Sequence, residues 1–503
     1  MPNQNKPTPP LDEIAPHILR LWKARQTDRQ IVQELQKHID TNRYGIGLTT
    51  LLKIRKTMGL QRTRKQGHTV ETIRDAMLAL RATYPNAGAR EMVSLLYHER
   101  EMSVARRVVT EYFALYEPEL VRYRKACRLR RRRFWAAGVN DLFAVDQHDK
   151  WLRFGLGLHT GIEPFSGRIM WIRVWHSNQN PQLILSYYLD TIEALGHMPM
   201  VTQSDPGSEN YGIVNAHTML RQWHDEALHG TLQHRWMRSK KNVMPEITWS
   251  QLRRRFTPRF ESLLDHGVNS GWYDSGNTLQ VMVFRWVFIP WLQQELDAYR
   301  DRVNNTAKRR DRNKILPHGV PNIIYHSAED FGALDFKIKI EHEALVYVRN
   351  LYIKSSHCVF DLVPEAFGKC IQRRYDDLGR PVVTRQSAWD TYRLLLDALR
   401  VADELPGQIQ PLDDEDEDFV PLLDDYQDLP SREEPDGAYY MGGVGGGIGL
   451  DTEHLHQLDI LSSNDEPPDV TLGTDENLVG LDHAGLVIWE FSDCESDDEA
   501  DKW

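Results

Sequence analysis

Three acidic residues stand in settings that suit metal-assisted chemistry. Asp146 closes the apolar run Leu142-Phe-Ala-Val-Asp146. Asp205 follows a second short run that begins at Val201, and opens Asp205-Pro-Gly-Ser-Glu-Asn210. Glu246 lies in Met244-Pro-Glu-Ile-Thr-Trp249, where the proline suits the first turn of a helix because an N–H there has no intrahelical partner. Carboxylates at strand ends and on a neighbouring helix can converge on a point about 4 Å across, as two-metal phosphoryl transfer requires. Mg2+ or Mn2+ would be the cation: a hard ion takes oxygen ligands and keeps several waters, so two or three carboxylates suffice.

Other residues compete for this role. Asp149, Glu163 and Glu209 are acidic and close in sequence, and a lone strand-end Asp is usually only solvated. Glu295 is a rival third carboxylate, but it lies far downstream and reads as an exposed helix residue. His148, His159, His176 and His234 show no metal-ligand spacing and read as core or surface groups. Trp249, four positions before Arg253, reads as a core residue rather than a stacking platform.

The elements that must position the acids follow from the patterning. Strands are predicted at 142–145, 151–159 and 168–176, with 161–167 as the turn between the last two. Then come a helix over 181–195, a strand at 198–202, a helix over 214–227, a strand at 232–237 and a helix from 245 to about 260. Three strands, helix, strand, helix, strand, helix is the order of the RNase H-like α/β fold. Its first and fourth strands are neighbours, so Asp146 and Asp205 would sit side by side. Beyond it the pattern predicts a long helix over 279–304, a basic cluster at 308–314, a short strand at 344–348 and a helix over 387–402.

Segment 141–330 resembles the integrase core of the DDE transposase and retroviral integrase superfamily, in particular its eukaryotic branch with an N-terminal helical region. The residues that carry the resemblance are Gly138-Val-Asn-Asp-Leu-Phe-Ala-Val-Asp146, Lys150-Trp-Leu-Arg-Phe-Gly155, Gly161-Ile-Glu-Pro-Phe-Ser-Gly-Arg168, Ser204-Asp-Pro-Gly-Ser-Glu-Asn210, Lys241 to Arg253, and Pro317-His-Gly-Val-Pro321. The resemblance implies a five-stranded mixed sheet with flanking helices, and Asp146, Asp205 and Glu246 as catalytic metal ligands. It implies Asn210 and Lys241 near a DNA end, with Arg253 as a further DNA contact. It also implies homo-oligomers assembled on DNA ends. The zinc-binding HHCC module of retroviral integrases is absent from the sequence.

The flanks are sharply segregated in charge. Residues 1–140 hold 27 Lys and Arg against 13 Asp and Glu, whereas 401–503 hold 2 against 30. Such a basic front points to a polyanion such as DNA, and the acidic end to a segment that competes with it. Helical spacing predicts three short helices within 11–60, with a Thr27–Gln30 capping box before the second. This helix-turn-helix-like unit places Thr49, Thr50 and Lys53 on a candidate recognition helix. A second helical unit is expected at 70–81, 89–99 and 103–115, with Ser103 as an N-cap and Arg106 and Arg107 facing DNA. Between 122 and 133 stand eight Lys or Arg and no acid, including Arg128, Arg130, Arg131, Arg132 and Arg133. These suit phosphate contacts, and equally a nuclear import signal.

The expected organisation is therefore 1–66 and 67–137 helical, 138–330 the catalytic core, 331–403 an accessory subdomain and 404–503 a disordered acidic tail. Leu486-Val-Ile-Trp-Glu-Phe491 stands out in that tail as a docking motif. No run of 18 apolar residues occurs, so no membrane helix is expected. The N-terminal residues carry no apolar signal region, and four scattered cysteines suit a reducing compartment. Three functions fit: a DNA-cutting and -joining enzyme, a catalytically inactive DNA-binding protein, or a metal-dependent nuclease without strand transfer.

Overall fold

The front of the chain folds as its apolar spacing dictates. The computed structural model describes residues 6–85, 87–118, 129–132, 136–237, 242–307, 316–400, 421–423, 426–429 and 488–491. Helices α1 (Leu11–Lys23), α2 (Asp28–His38) and α3 (Leu48–Thr57) bury Ile14, Ile18, Leu21, Ile31, Leu35 and Leu51 together. Thr27 caps α2 in a reciprocal box: the Gln30 N–H donates to Thr27 Oγ1 at 3.3 Å and the Thr27 N–H to Gln30 Oε1 at 3.0 Å. Helices α4 (Val70–Thr83), α5 (Ala89–Arg100) and α6 (Arg106–Tyr116) close over Ile73, Met77, Leu95 and Phe113. Ser103 does not cap α6, which starts three residues later. Its N–H donates to Gln66 Oε1 at 2.6 Å and its hydroxyl meets Thr63 Oγ1 at 2.8 Å. Its polar groups are thus spent on tying the turn Thr63–Gln66 to this unit.

The central sheet has strands β1 (Leu142–His148), β2 (Gly157–Glu163), β3 (Arg168–Trp175), β4 (Val201–Ser204) and β5 (His234–Trp236), in the order β3-β2-β1-β4-β5. The β1–β2 and β2–β3 pairs are antiparallel, and β4 and β5 run parallel to β1. On one face, α7 (Pro181–Leu195), α8 (Tyr211–His224) and α12 (His342–Tyr352) pack on Phe143, Val145 and Trp171. On the other, α9 (Val243–Arg255), α10 (Thr257–Asn269) and α11 (Thr278–Asn304) pack on Leu158, Ile172 and Val174. Helices α13 (Glu365–Asp377) and α14 (Ala388–Arg400) add Phe367, Ile371, Trp389 and Tyr392 to this second cluster.

Several elements differ from the sequence reading, each for a physical reason. The second strand is shifted to Gly157–Glu163 and continues through Gly161, its pairing with β3 shifting register between Gly161 and Ile162. Gly161 pairs with Trp171, and a Cβ there would come within 2.2 Å of that indole, so the glycine admits a ring and does not make a turn. The expected strand at 344–348 is instead part of α12. Ala344, Leu345 and Val348 are buried at helical spacing against α7 and α8. The helix expected from 245 to 260 breaks at Phe256, because Pro258 in the next turn lacks the N–H that a continuous helix would need. It also begins two residues before Pro245, leaving that proline still within the first turn.

The helical front is docked on the end of α11. Arg302 is buried and donates to Glu99 Oε1 at 2.7 Å and to Tyr84 Oη at 3.3 Å. Lys23 meets Asp301 at 2.6 Å, and Ser94 meets Thr306 at 2.6 Å.

Candidate metal and nucleic-acid site

Strand parity decides which way the first carboxylate faces. Successive residues of a strand alternate sides, so Asp146 lies with Leu142 and Ala144, away from Phe143 and Val145. That side is where α9 crosses β1. The parallel register Leu142↔Val201, Phe143↔Thr202 and Ala144↔Gln203, carried two residues further, brings Asp205 opposite Asp146. Asp205 stands one residue beyond the end of β4, and Glu246 in the first turn of α9.

The electrostatics show that the three acids sense each other. Burial pushes the Asp146 carboxyl up to about 7, and the negative charges of Asp205 and Glu246 push the same way. Asp205 is also raised, first by burial and then by Glu246. Glu209, four residues on, is raised by burial and by Asp149 and Asp205. Oδ1 of Asp205 and Oδ1 of Asn210 are buried and accept no hydrogen bond. Mutually repelling carboxylates with an orphaned oxygen are a donor set that suits a divalent cation. Among the described residues, however, no group of three or more His, Cys, Asp or Glu is gathered closely enough to hold an ion as it stands.

Two further residues organise this corner. Trp249, read from the sequence as core, is buried, but its Nε1–H donates to Asp146 Oδ2 at 2.9 Å. The indole also stacks on His148, ring centroids 4.9 Å apart, and burial pushes that imidazole down to about 4, so it is neutral near pH 7. Asn242 is fully buried: its Nδ2 donates to the Val145 carbonyl at 2.9 Å, and its Oδ1 accepts from Gln203 Nε2 at 3.2 Å. One amide thus ties β1, β4 and the N-terminus of α9 together just below the acids. The sequence held no periodic signal for either role; only the position of α9 over β1 creates them.

The competing residues separate cleanly. Glu163 accepts from the N–H groups of Phe165 and Ser166, both at 2.9 Å, and shapes the β2–β3 turn. Glu295 pairs with Arg259 at 3.5 Å on the far helices. Asp149 accepts from Asn178 Nδ2 at 2.7 Å. Glu209 accepts from Asn210 Nδ2 at 2.8 Å and is the acid, besides the predicted three, coupled to Asp205. His159 and His234 are core groups, accepting from Trp171 Nε1 and contacting Thr202 and Ser204.

Of the predicted DNA contacts, Arg106 and Arg107 are exposed on α6, and Arg253 is half-buried in the last turn of α9, its charge felt by His148. Arg130, Arg131 and Arg132 lie in a short strand, Leu129–Arg132. Lys241, Arg128 and Arg133 lie outside the described residues.

A five-stranded sheet of order 3-2-1-4-5, its first three strands an antiparallel meander and both faces covered by helices, defines an RNase H-like fold. A family model described as integrase core domain matches residues 134–348, the segment that holds the whole sheet and all three acids, and this segment is an integrase core. A search of curated proteins found no match to the chain.

Proposed function

We propose that the chain is a polynucleotidyl transferase of the transposase and integrase type, acting on DNA. The observation that carries this reading is the placement of Asp146 and Asp205 on adjacent strands of an integrase core, with Glu246 presented from α9. Asp146, Asp205 and Glu246 would hold Mg2+ or Mn2+, which supplies charge stabilisation for a phosphoryl group and a readily deprotonated water. The chain's own part is to fix those carboxylates: Trp249 orients Asp146, and Asn242 locks β1 to the start of α9. Water then attacks a phosphodiester and releases a 3′-hydroxyl, and that hydroxyl displaces a 3′-oxygen in a second duplex. In this reading Arg106, Arg107, Arg253 and the 122–133 segment bind phosphates, and 122–133 also serves nuclear import.

The test is cleavage of supercoiled plasmid and joining of paired DNA ends with Mg2+ or Mn2+. Asp205→Asn should lower both by at least about a hundredfold while DNA binding persists. Full activity in that variant would remove the assignment. Cleavage without joining would mark a nuclease.

One observation favours a second reading, a DNA-binding protein that kept the fold without the chemistry. One oxygen of Asp146 is already engaged by Trp249, and the acids do not close into a ligand cluster among the described residues. That protein would retain DNA affinity and show no metal-dependent cutting in the same assay.

A further inference from the structure

The strongest observation outside the acid corner lies at the β5 edge of the sheet. Two short stretches of the acidic C-terminal region, Pro421–Leu423 and Tyr426–Leu429, are seated there. The side-chain amide of Asn215 on α8 reads its backbone on both sides: Nδ2 donates to the Pro421 carbonyl at 2.7 Å, and Oδ1 accepts the Leu423 N–H at 3.1 Å. Further on, the Gln427 N–H donates to the Gly230 carbonyl at 2.8 Å, and the Leu232 N–H donates to the Gln427 carbonyl at 2.9 Å. Thr231 and Gln427 thereby form a parallel bridge just before β5. The Tyr426 hydroxyl meets Gln222 Oε1 at 3.3 Å, and Leu429 covers the apolar patch of Leu142, Ala144 and Val201. Main-chain pairing at a sheet edge, with side chains filling adjoining patches, is how extended peptides are recognised.

We infer that this edge is a peptide-docking groove, that 421–423 and 426–429 occupy it in cis, and that the docked stretches anchor the acidic region so that it competes with DNA for the basic front. The last step rests on the nucleic-acid reading above. Charge supports it: the region after 400 holds 30 acids against 2 basic residues, and it belongs to the same chain as a front that holds 27 basic residues against 13 acids. A second stretch of the same region points the same way. Ile488–Phe491 lies antiparallel along Leu129–Arg132, pairing Arg130 with Glu490 and Arg131 with Trp489. The strand that carries Arg130, Arg131 and Arg132 therefore has a stretch of the chain's own C-terminal region, with Glu490 in register with Arg130, beside it. Tethering raises the local concentration of the competitor far above that of a free peptide, and salt weakens the competition by screening.

The test uses the full chain in three forms: unaltered, Asn215→Ala, and Leu423→Ser with Leu429→Ser. The last leaves the net charge unchanged and alters only two partly buried side chains of the docked stretches, should Asn215→Ala fold poorly. Hydrogen exchange of the Leu232, Leu423 and Gln427 amides reads the anchor directly. They should be protected in the unaltered chain at every protein concentration and lose protection in both variants. Exchange at free-peptide rates in the unaltered chain would overturn the groove, and protection that grows with protein concentration would overturn its occupation in cis. Affinity for a short random-sequence duplex reads the consequence. Both variants should bind about fivefold tighter or more at low salt, with the gap closing at high salt. Released anchors with unchanged affinity would overturn the competition. If no form binds DNA at any salt, the nucleic-acid reading falls and takes the competition with it, while the exchange data still decide the groove.

Discussion

Trp249 shows how a residue that looks like filling can tune a charge. Its indole N–H, with the Gln147 backbone N–H, acts on Asp146 to favour the ionised form, against burial and two neighbouring carboxylates. Trp249→Phe keeps most of the packing and the stack on His148 but removes that donor. Asp146 should then hold its proton more tightly, and since the metal role proposed for it needs the ionised form, affinity for Mn2+ should fall by about tenfold. Calorimetric titration of the full chain with Mn2+ checks this. An unchanged affinity would reduce Trp249 to packing. The sequence could not disclose the role, since Trp249 carries the same helical spacing whether or not an aspartate lies under its ring. Asp146 and Asp205 were legible because each closes a short apolar run, although β1 continues two residues past Asp146 to His148. Asn242 was not, because its amide acts only between β1 and β4, far apart in sequence.

Elements were legible where one face alone is buried. Helix α7 and the first three helices follow their apolar periods closely, and the capping box at Thr27 and Gln30 forms as spaced. Readings failed where tertiary contact overrides local signal, as at Gly161 under Trp171 and at Ala344–Val348, a short apolar run whose helical state depends on α7 and α8. The contact of α5 with α11 was equally hidden, and it is energetically testable. Arg302 is buried with Glu99 and Tyr84 as partners. Arg302→Ala would leave the half-buried Glu99 carboxylate without this partner and empty the space between the elements. Losing these hydrogen bonds together with the buried guanidinium's packing costs on the order of 1–3 kcal/mol. Urea unfolding should show that loss. A change below about 0.5 kcal/mol would mean the pair behaves like a surface ion pair and does not hold the front to the core.

At the scale of the whole molecule, the histidines set an acid limit. His159, His176, His217 and His234 are buried, and burial pushes the first three down to about 3 and His234 well below its ordinary range. Each is neutral in the folded chain and takes a proton on unfolding below about pH 6.5. Their contribution is fully present above that pH and is lost as pH falls. Asp146 and Glu163 oppose them: burial lifts both to about 7, so the folded chain binds their protons first and gains stability as pH falls from 7 toward 4. These four against those two leave the unfolded state with a net uptake of about two protons between pH 6 and pH 5, and His98, His148 and His326, also pushed down by burial, add to it. The slope is therefore about 3 kcal/mol per pH unit or more, a large share of a domain's total stability. Thermal melting of the metal-free chain should therefore shift steeply downward from pH 7 to pH 5. The integrase core should fail first, since the first six groups all lie in it. A melting temperature that holds or rises on acidification would show that the carboxylates outweigh the imidazoles. Asp146 and Glu163 would then be the dominant proton-linked groups of the fold.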